Sequence, residues 1–151
     1  MIKLFRIDDR LIHGQVAMAW TKFMDVNQII VVDDESANDK MKSMILNLAK
    51  PSSTDLDIVS TSEFIDIYNK YKSKNIMVVI GSIEQAVKIL PNLKSEIPYL
   101  NIGGIRHKEG RSKITDSVFL SDHEKSMLNE FKDLNIKIVL QATPNGSKTT
   151  Y

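Results

Sequence analysis

A chain of 151 residues with 42% hydrophobic and 26% charged side chains can bury one core and fits a single domain spanning 1–151, since domains commonly hold about 100–200 residues. Twenty basic residues against nineteen acidic leave a net charge of +1, without the basic excess or patch that marks a nucleic-acid surface. The absence of cysteine excludes disulfides and thiolate metal sites, and no long apolar run marks a signal peptide or a membrane span; a cytosolic globule is expected.

In chain order, "MIKLFRID" (1–8) reads as a first strand, followed by a helix whose apolar stripe is Val16, Ala19, Trp20 and Phe23. "QIIVVDD" (28–34) is the second strand, and Ala37, Met41, Met44, Ile45 and Leu48 form the next helical stripe. "DLDIVS" (55–60) is followed by Phe64, Tyr68 and Tyr71, and "NIMVVIG" (75–81) by Ile83, Ala86, Val87 and Leu90. "PYLNIG" (98–103) and a shorter candidate, "ITDSVFL" (114–120), precede the stripe Met127, Leu128, Phe131 and Leu134, and "NIKIVLQA" (135–142) is the last strand. Near-continuous apolar runs of this length suit strands covered on both faces, whereas the stripes carry the 3.6-residue helical period. Capping boxes are expected at Ser60 with Glu63, Ser82 with Gln85, and Ser121 with Glu124; Pro51, Pro91 and Pro98 lie where helices should have stopped.

This alternation predicts an α/β fold: an open, mainly parallel twisted sheet with helices on both faces, joined by right-handed crossovers. Ligands of such sheets sit beyond the carboxyl ends of the strands. "FRIDDRLIHGQV" (5–16) falls on that edge, and Asp33, Asp34, Ser60, Gly81, Ser82, Gly103 and Gly104 should line the same rim.

His13 in this stretch has the setting of a reactive group. Metal binding is disfavoured, because only His107 and His123 remain and neither stands at a ligand spacing. No G-x-S-x-G elbow, Walker sequence or G-x-G-x-x-G occurs, so neither a serine triad nor a built-in nucleotide site is indicated. Phosphoryl chemistry fits better. A neutral imidazole can attack phosphorus, and cations stabilise the charge spread over the equatorial oxygens. Arg10 and Arg6 supply forked donors for such a group. Gly14 permits close approach, and the amides of Gly14, Gln15 and Val16 are first-turn donors suited to an anion. Asp8 and Asp9 can orient an arginine or the ring, Asp9 reading rather as a solvated strand-end residue. A helix-capping role for His13 stays open on position alone.

The stretch "RIDDRLIHGQVAMAW", with "NIGGIR" at 101–106 and "PNGSK" near the C-terminus, resembles the IIB component of mannose-type (mannose/fructose/sorbose) sugar phosphotransferase systems over nearly the whole chain. The resemblance implies an open α/β phosphocarrier that needs no cofactor or metal. In that family a histidine, matching His13, accepts a phosphoryl group at Nδ1 from a phosphohistidine on the IIA partner. The group then passes to a sugar carried inward by the IIC and IID membrane components. Arg10 matches the arginine that contacts the phosphoryl group. A cytoplasmic protein held at the membrane through its permease is implied, with homo-oligomerisation left open. "LQATPNGSK" departs from the "RQVPND"-like sequence of relatives at Leu140 and Gly146.

Smaller signals have two readings each. The basic loop "NIGGIRHKEGRSK" (101–113) is a rim contact for the partner or phosphate, or a solvated turn. Ser82 is a phosphoryl ligand or a cap. Trp20 reads as core rather than as a sugar platform, and Asp33–Asp34 suggest an alternative, a receiver-like domain phosphorylated on aspartate with Mg²⁺.

Overall fold

In the computed structural model, which describes residues 1–151, β1 (Ile2–Asp8) leads through a short loop into α1 (Gly14–Phe23) and then β2 (Gln28–Val32). α2 (Asp34–Ala37) and α3 (Lys40–Ala49) precede β3 (Asp55–Val59), and α4 (Phe64–Lys70) precedes β4 (Ile76–Ile80). α5 (Ile83–Ile89) runs into a 3-10 turn at Leu90–Asn92 that contains Pro91, before β5 (Leu100–Gly104). A small hairpin of β6 (Ser112–Lys113) and β7 (Phe119–Leu120) is followed by α6 (Asp122–Asp133), β8 (Ile138–Leu140) and β9 (Thr149–Thr150).

One sheet takes the order β3-β2-β4-β1-β5-β8-β9, every pairing parallel except β9 on the edge of β8. Alternation along the strands divides two cores, as the doubly covered sheet requires. Phe5, Ile7, Ile30, Val32, Val78 and Ile80 pack toward Phe64 of α4, Ile83 of α5 and Phe131 of α6. Leu4, Ile29, Val31, Met77 and Val79 pack toward Ala17 and Trp20 of α1 and Leu46 of α3. Helices α1 and α3 therefore cover one face, and α4, α5 and α6 cover the other. β1 lies between β4 and β5, so its carboxyl end is a switch point, where the outgoing chains part and leave a crevice.

Several expectations are corrected. The stripe read as one helix is broken at Asn38–Asp39: the Asp39 carboxylate accepts from the amides of Met41 at 3.0 Å and Lys42 at 3.1 Å and starts a new helix. The Ser43 hydroxyl donates to Ser36 O at 2.7 Å, which turns that flank and Leu46 inward and leaves Met41, Met44, Ile45 and Leu48 exposed. Residues 114–120 are mostly the turn of the hairpin rather than a strand of the main sheet. β9 carries no apolar run and pairs only at the edge, so it left no trace in the pattern. Ser121 and Glu124 form the full capping box, and Ser82 accepts from Gln85 N at 3.2 Å. At Ser60 only half of the box forms: the Glu63 carboxylate reaches back to accept from the Ser60 amide at 3.0 Å and from its hydroxyl at 2.9 Å, the hydroxyl caps no helix amide, and α4 begins only at Phe64.

Candidate active site

The crevice beyond β1 is built from the last three residues of that strand. Arg6 and Asp8 point toward α1 while Ile7 points into the larger core. Asp8 is fully buried. Its Oδ2 accepts from Arg6 Nη2 at 2.9 Å and lies 3.0 Å from His13 Nε2, and its Oδ1 accepts from the Arg10 amide at 3.1 Å. One carboxylate thus holds both ends of the loop that carries the histidine. Burial opposes its charge, but the hydrogen bond from His13 and the charge of Arg6 outweigh it and hold the carboxyl below its ordinary 3.8. An ionised carboxylate only accepts, so His13 Nε2 carries the hydrogen. In the neutral ring this leaves the Nδ1 lone pair unprotonated.

The loop itself is tightly set. Leu11 takes a left-handed φ of 59° and its amide donates to Asp8 O at 3.0 Å, while Ile12 is buried in the smaller core. His13 occupies the N-cap position of α1 with extended backbone, but its side chain makes no capping bond. It is partly open, its side chain 19% exposed. The amides of Gly14, Gln15 and Val16 have no acceptor within the chain, and the Gln15 side chain is exposed and unpaired. Gly14 has φ +47°, and a Cβ there would meet nothing within 4 Å; its glycine serves the backbone conformation and an open space beside His13. Arg10 is exposed, and its guanidinium has no hydrogen bond or ion pair. Asp8, His13 and the Arg10 main chain are therefore brought together, with Gly14 and Gln15 following His13 at the start of α1 and the side chains of Arg10 and Gln15 exposed.

Arg6 and Ser82 differ from the sequence reading. Arg6 is 3% exposed, and its guanidinium is held by Asn101 Oδ1 at 2.6 Å, Gln141 O at 3.1 Å, Asp8 Oδ2 and Ala142 O, both at 2.9 Å. It faces the interior because a residue inside a central, doubly covered strand has no solvent side. Burial lowers its pKa, and Asp8 opposes that shift. The Ser82 hydroxyl caps α5 and also receives Gln85 Nε2 at 3.3 Å, with no hydrogen bond to His13 or its partners. Asp9, read as solvated, accepts from the Arg106 amide at 2.9 Å and Arg106 Nε at 3.1 Å.

The glycine pair of "NIGGIR" has a steric cause. A Cβ on Gly103 would stand 1.9 Å from Arg6 Cζ, and one on Gly104 would stand 3.3 Å from Asp8 Oδ1. Asn101, a polar residue inside the apolar run "PYLNIG", is the sequence signal for a buried polar partner of Arg6. The basic loop that follows is mostly structural. Arg111 Nε and Nη2 meet the Glu124 carboxylate at 2.8 and 3.1 Å, Lys113 pairs with Asp116 at 2.8 Å, and His107 stands edge-on to Phe119 at 5.5 Å. His123 is exposed on the first turn of α6. Asp33 and Asp34 are engaged by the caps of α2 and the turn at Thr61.

The sequence pattern of the PTS system sorbose subfamily IIB component matches residues 2–151. The chain belongs to this IIB family of sugar phosphotransferase systems. It is 32% identical over 145 residues to the sorbose-specific EIIB component of Lacticaseibacillus casei, covering 93% of this chain and 87% of that one. It is also 32% identical over 139 residues to the mannose-specific EIIAB component of Escherichia coli K12, covering 91% of this chain and 42% of that longer protein. The IIBSor domain of the sorbose permease from Klebsiella pneumoniae superposes with a TM-score of 0.90 at 27% identity, over 99% of this chain and 92% of that one. As a IIB component of the mannose, sorbose and fructose group, the chain is a phosphocarrier and sugar phosphotransferase component of sugar uptake. This excludes the receiver reading of Asp33–Asp34. No helix is long and apolar enough to cross a membrane.

Proposed function

We infer that His13 is the phosphoryl acceptor, reacting through Nδ1. The observation that carries this reading is the 3.0 Å contact of His13 Nε2 with the buried Asp8 carboxylate. It directs the ring's free lone pair to the other nitrogen. In the accepting step the Nδ1 lone pair attacks phosphorus, the bond from phosphorus to the donor imidazole breaks, and that pair of electrons returns to the donor ring. Attack leaves His13 substituted at both nitrogens and positively charged, and the Asp8 carboxylate balances that charge. The exposed Arg10 guanidinium and the open amides of Gly14, Gln15 and Val16 supply donors to the three phosphoryl oxygens. In the second step a sugar hydroxyl attacks phosphorus, the P–N bond breaks, and the hydroxyl proton leaves to a base outside this chain.

The donor is a IIA phosphohistidine, a reading supported by the EIIAB relative, whose name joins both components. The acceptor is a sugar held by IIC and IID membrane subunits, beside which this chain works at the cytoplasmic surface. The test is incubation with upstream phosphocarriers and phosphoenolpyruvate, followed by mass-spectrometric mapping at alkaline pH. An acid-labile, base-stable phosphate on His13, absent in His13→Ala and formed about 100-fold more slowly in Arg10→Ala, is expected. Phosphate on any other side chain would refute the reading.

A further inference from the structure

We propose that Arg6 is a positioning residue of phosphoryl transfer, coupling the C-terminal strap at Gln141 and Ala142 to the Asp8–His13 pair. The proposal rests on His13 being the acceptor and extends that reading to a group that never touches phosphate.

The coupling is continuous. Gln141 O accepts from Arg6 Nη1 at 3.1 Å and from Asn101 Nδ2 at 3.1 Å; Ala142 O accepts from Arg6 Nη2 at 2.9 Å and from Trp20 Nε1 at 3.0 Å. The Trp20 ring also stands 5.5 Å from the Arg6 guanidinium carbon, and Gly103 leaves the space in which the guanidinium lies. Four anchors, Asn101 Oδ1, Gln141 O, Ala142 O and the Trp20 ring, therefore aim Nη2 at the one carboxylate oxygen that also meets His13. Every contact from the strap to Arg6 is made by a main-chain carbonyl. The departures at Leu140 and Gly146 leave that contact in place: Leu140 is buried in the larger core, and Gly146 closes a turn against Thr143.

The pair also settles a charge problem. A bare carboxylate beside an incoming phosphoryl dianion would repel it, and a buried one without its cation would take up a proton. Protonated, Asp8 would donate to Nε2 rather than accept from it, move the ring hydrogen to Nδ1 and block the nucleophile. The charged and titratable groups that face this pair are His13 and Arg10 of the loop and Tyr99 ahead of β5.

The test compares the full chain with Arg6→Lys and Arg6→Gln. Long-range ¹H–¹⁵N correlation reads the His13 tautomer, and acceptance rates are taken between about pH 6 and about pH 8. The wild type should hold hydrogen on Nε2. Arg6→Gln should shift it toward Nδ1 and accept phosphate about 100-fold more slowly at the acid end, the deficit narrowing as pH rises and Asp8 ionises. Arg6→Lys, which keeps the charge without the fork, should keep the tautomer and lose about 10-fold. A wild-type tautomer in Arg6→Gln, or a wild-type rate in Arg6→Lys, would overturn the proposal; the latter decides it if the glutamine variant does not fold. Absence of label on wild-type His13 would instead defeat the acceptor reading, while the tautomer comparison, made without phosphate, still judges Arg6.

Discussion

Two aspartate pairs stand at the same edge of this sheet, Asp8–Asp9 at the end of β1 and Asp33–Asp34 just past β2, and they have opposite fates. Asp33 accepts from the Ser36 amide at 3.0 Å and Gln85 Nε2 at 3.0 Å, and Asp34 accepts from the Thr61 amide at 2.7 Å. The hydrogen bond from Thr61 holds the Asp34 carboxyl below its ordinary value. Their donors are chiefly main-chain and neutral groups, so these carboxylates end as helix and turn caps. Asp8 receives a guanidinium and an imidazole instead. In the proposed reaction Asp8 differs because one of its donors, the His13 ring, has a second nitrogen with an electron pair to use. Each pair is also framed by glycine: Gly103 and Gly104 of β5 beside Arg6 and Asp8, and Gly81, just past β4, with its Cβ direction 2.9 Å from Asp33 Oδ1.

The contrast can be broken most strongly at Asp8. Asp8→Asn keeps the shape but removes the charge, leaving the buried Arg6 uncompensated; a stability loss of about 3–5 kcal/mol by denaturant titration and a fall of about 100-fold in phosphoryl acceptance are expected. Because the Asp8 carboxyl is held below 3.8 in the folded chain, its contribution is fully present above that value and is lost as pH falls below it. The melting temperature of the asparagine variant should therefore fall less steeply than that of the wild type on acidification through this window. Equal slopes would mean that the carboxylate contributes nothing to folding.

Gly103→Ala tests the same pair from the other side. Its methyl group would displace the guanidinium, at a cost of about 3 kcal/mol by thermal melting, against about 1 kcal/mol for Gly81→Ala, whose methyl would meet Asp33 Oδ1 at 2.9 Å and need only a small shift of that side chain. Similar costs at the two glycines would erase the distinction between the pairs. Asp33→Ala should lose about 1 kcal/mol as a cap with acceptance rates unchanged; a rate change would join the second pair to the chemistry. The smallest effect belongs to Arg106→Ala, since the Arg106 side chain is 68% exposed: at most about 1 kcal/mol in chemical unfolding, and a larger loss would mark the Asp9 link as a determinant of the loop.

Much of this was legible in the residues. Apolar runs marked β1 to β5, the Ser121 box marked α6, and the charged stretch after the first strand marked the loop that carries His13. The charge of the motif alone makes Arg6 look like a phosphate ligand, but strand parity places it inside. Flanked by Phe5 and Ile7 in a doubly covered strand, it had no route to solvent. The break before α3 lay in "AND", where an aspartate side chain outcompetes helix continuation for two amides. The solvent-facing side of α3 was not legible at all, because an i, i+3, i+4, i+7 stripe looks the same whether a core or water faces it.

β1 is hydrogen-bonded on both sides, to β4 and to β5, and the acceptor loop grows directly from its end. The amides of Arg6 and Ile7 should therefore exchange with deuterium only when the whole domain opens. Recognition then divides by depth: the strand end that bears the loop stays fixed, and whichever surface delivers or removes the phosphate meets adjustable parts only in the exposed side chains of Arg10 and Gln15.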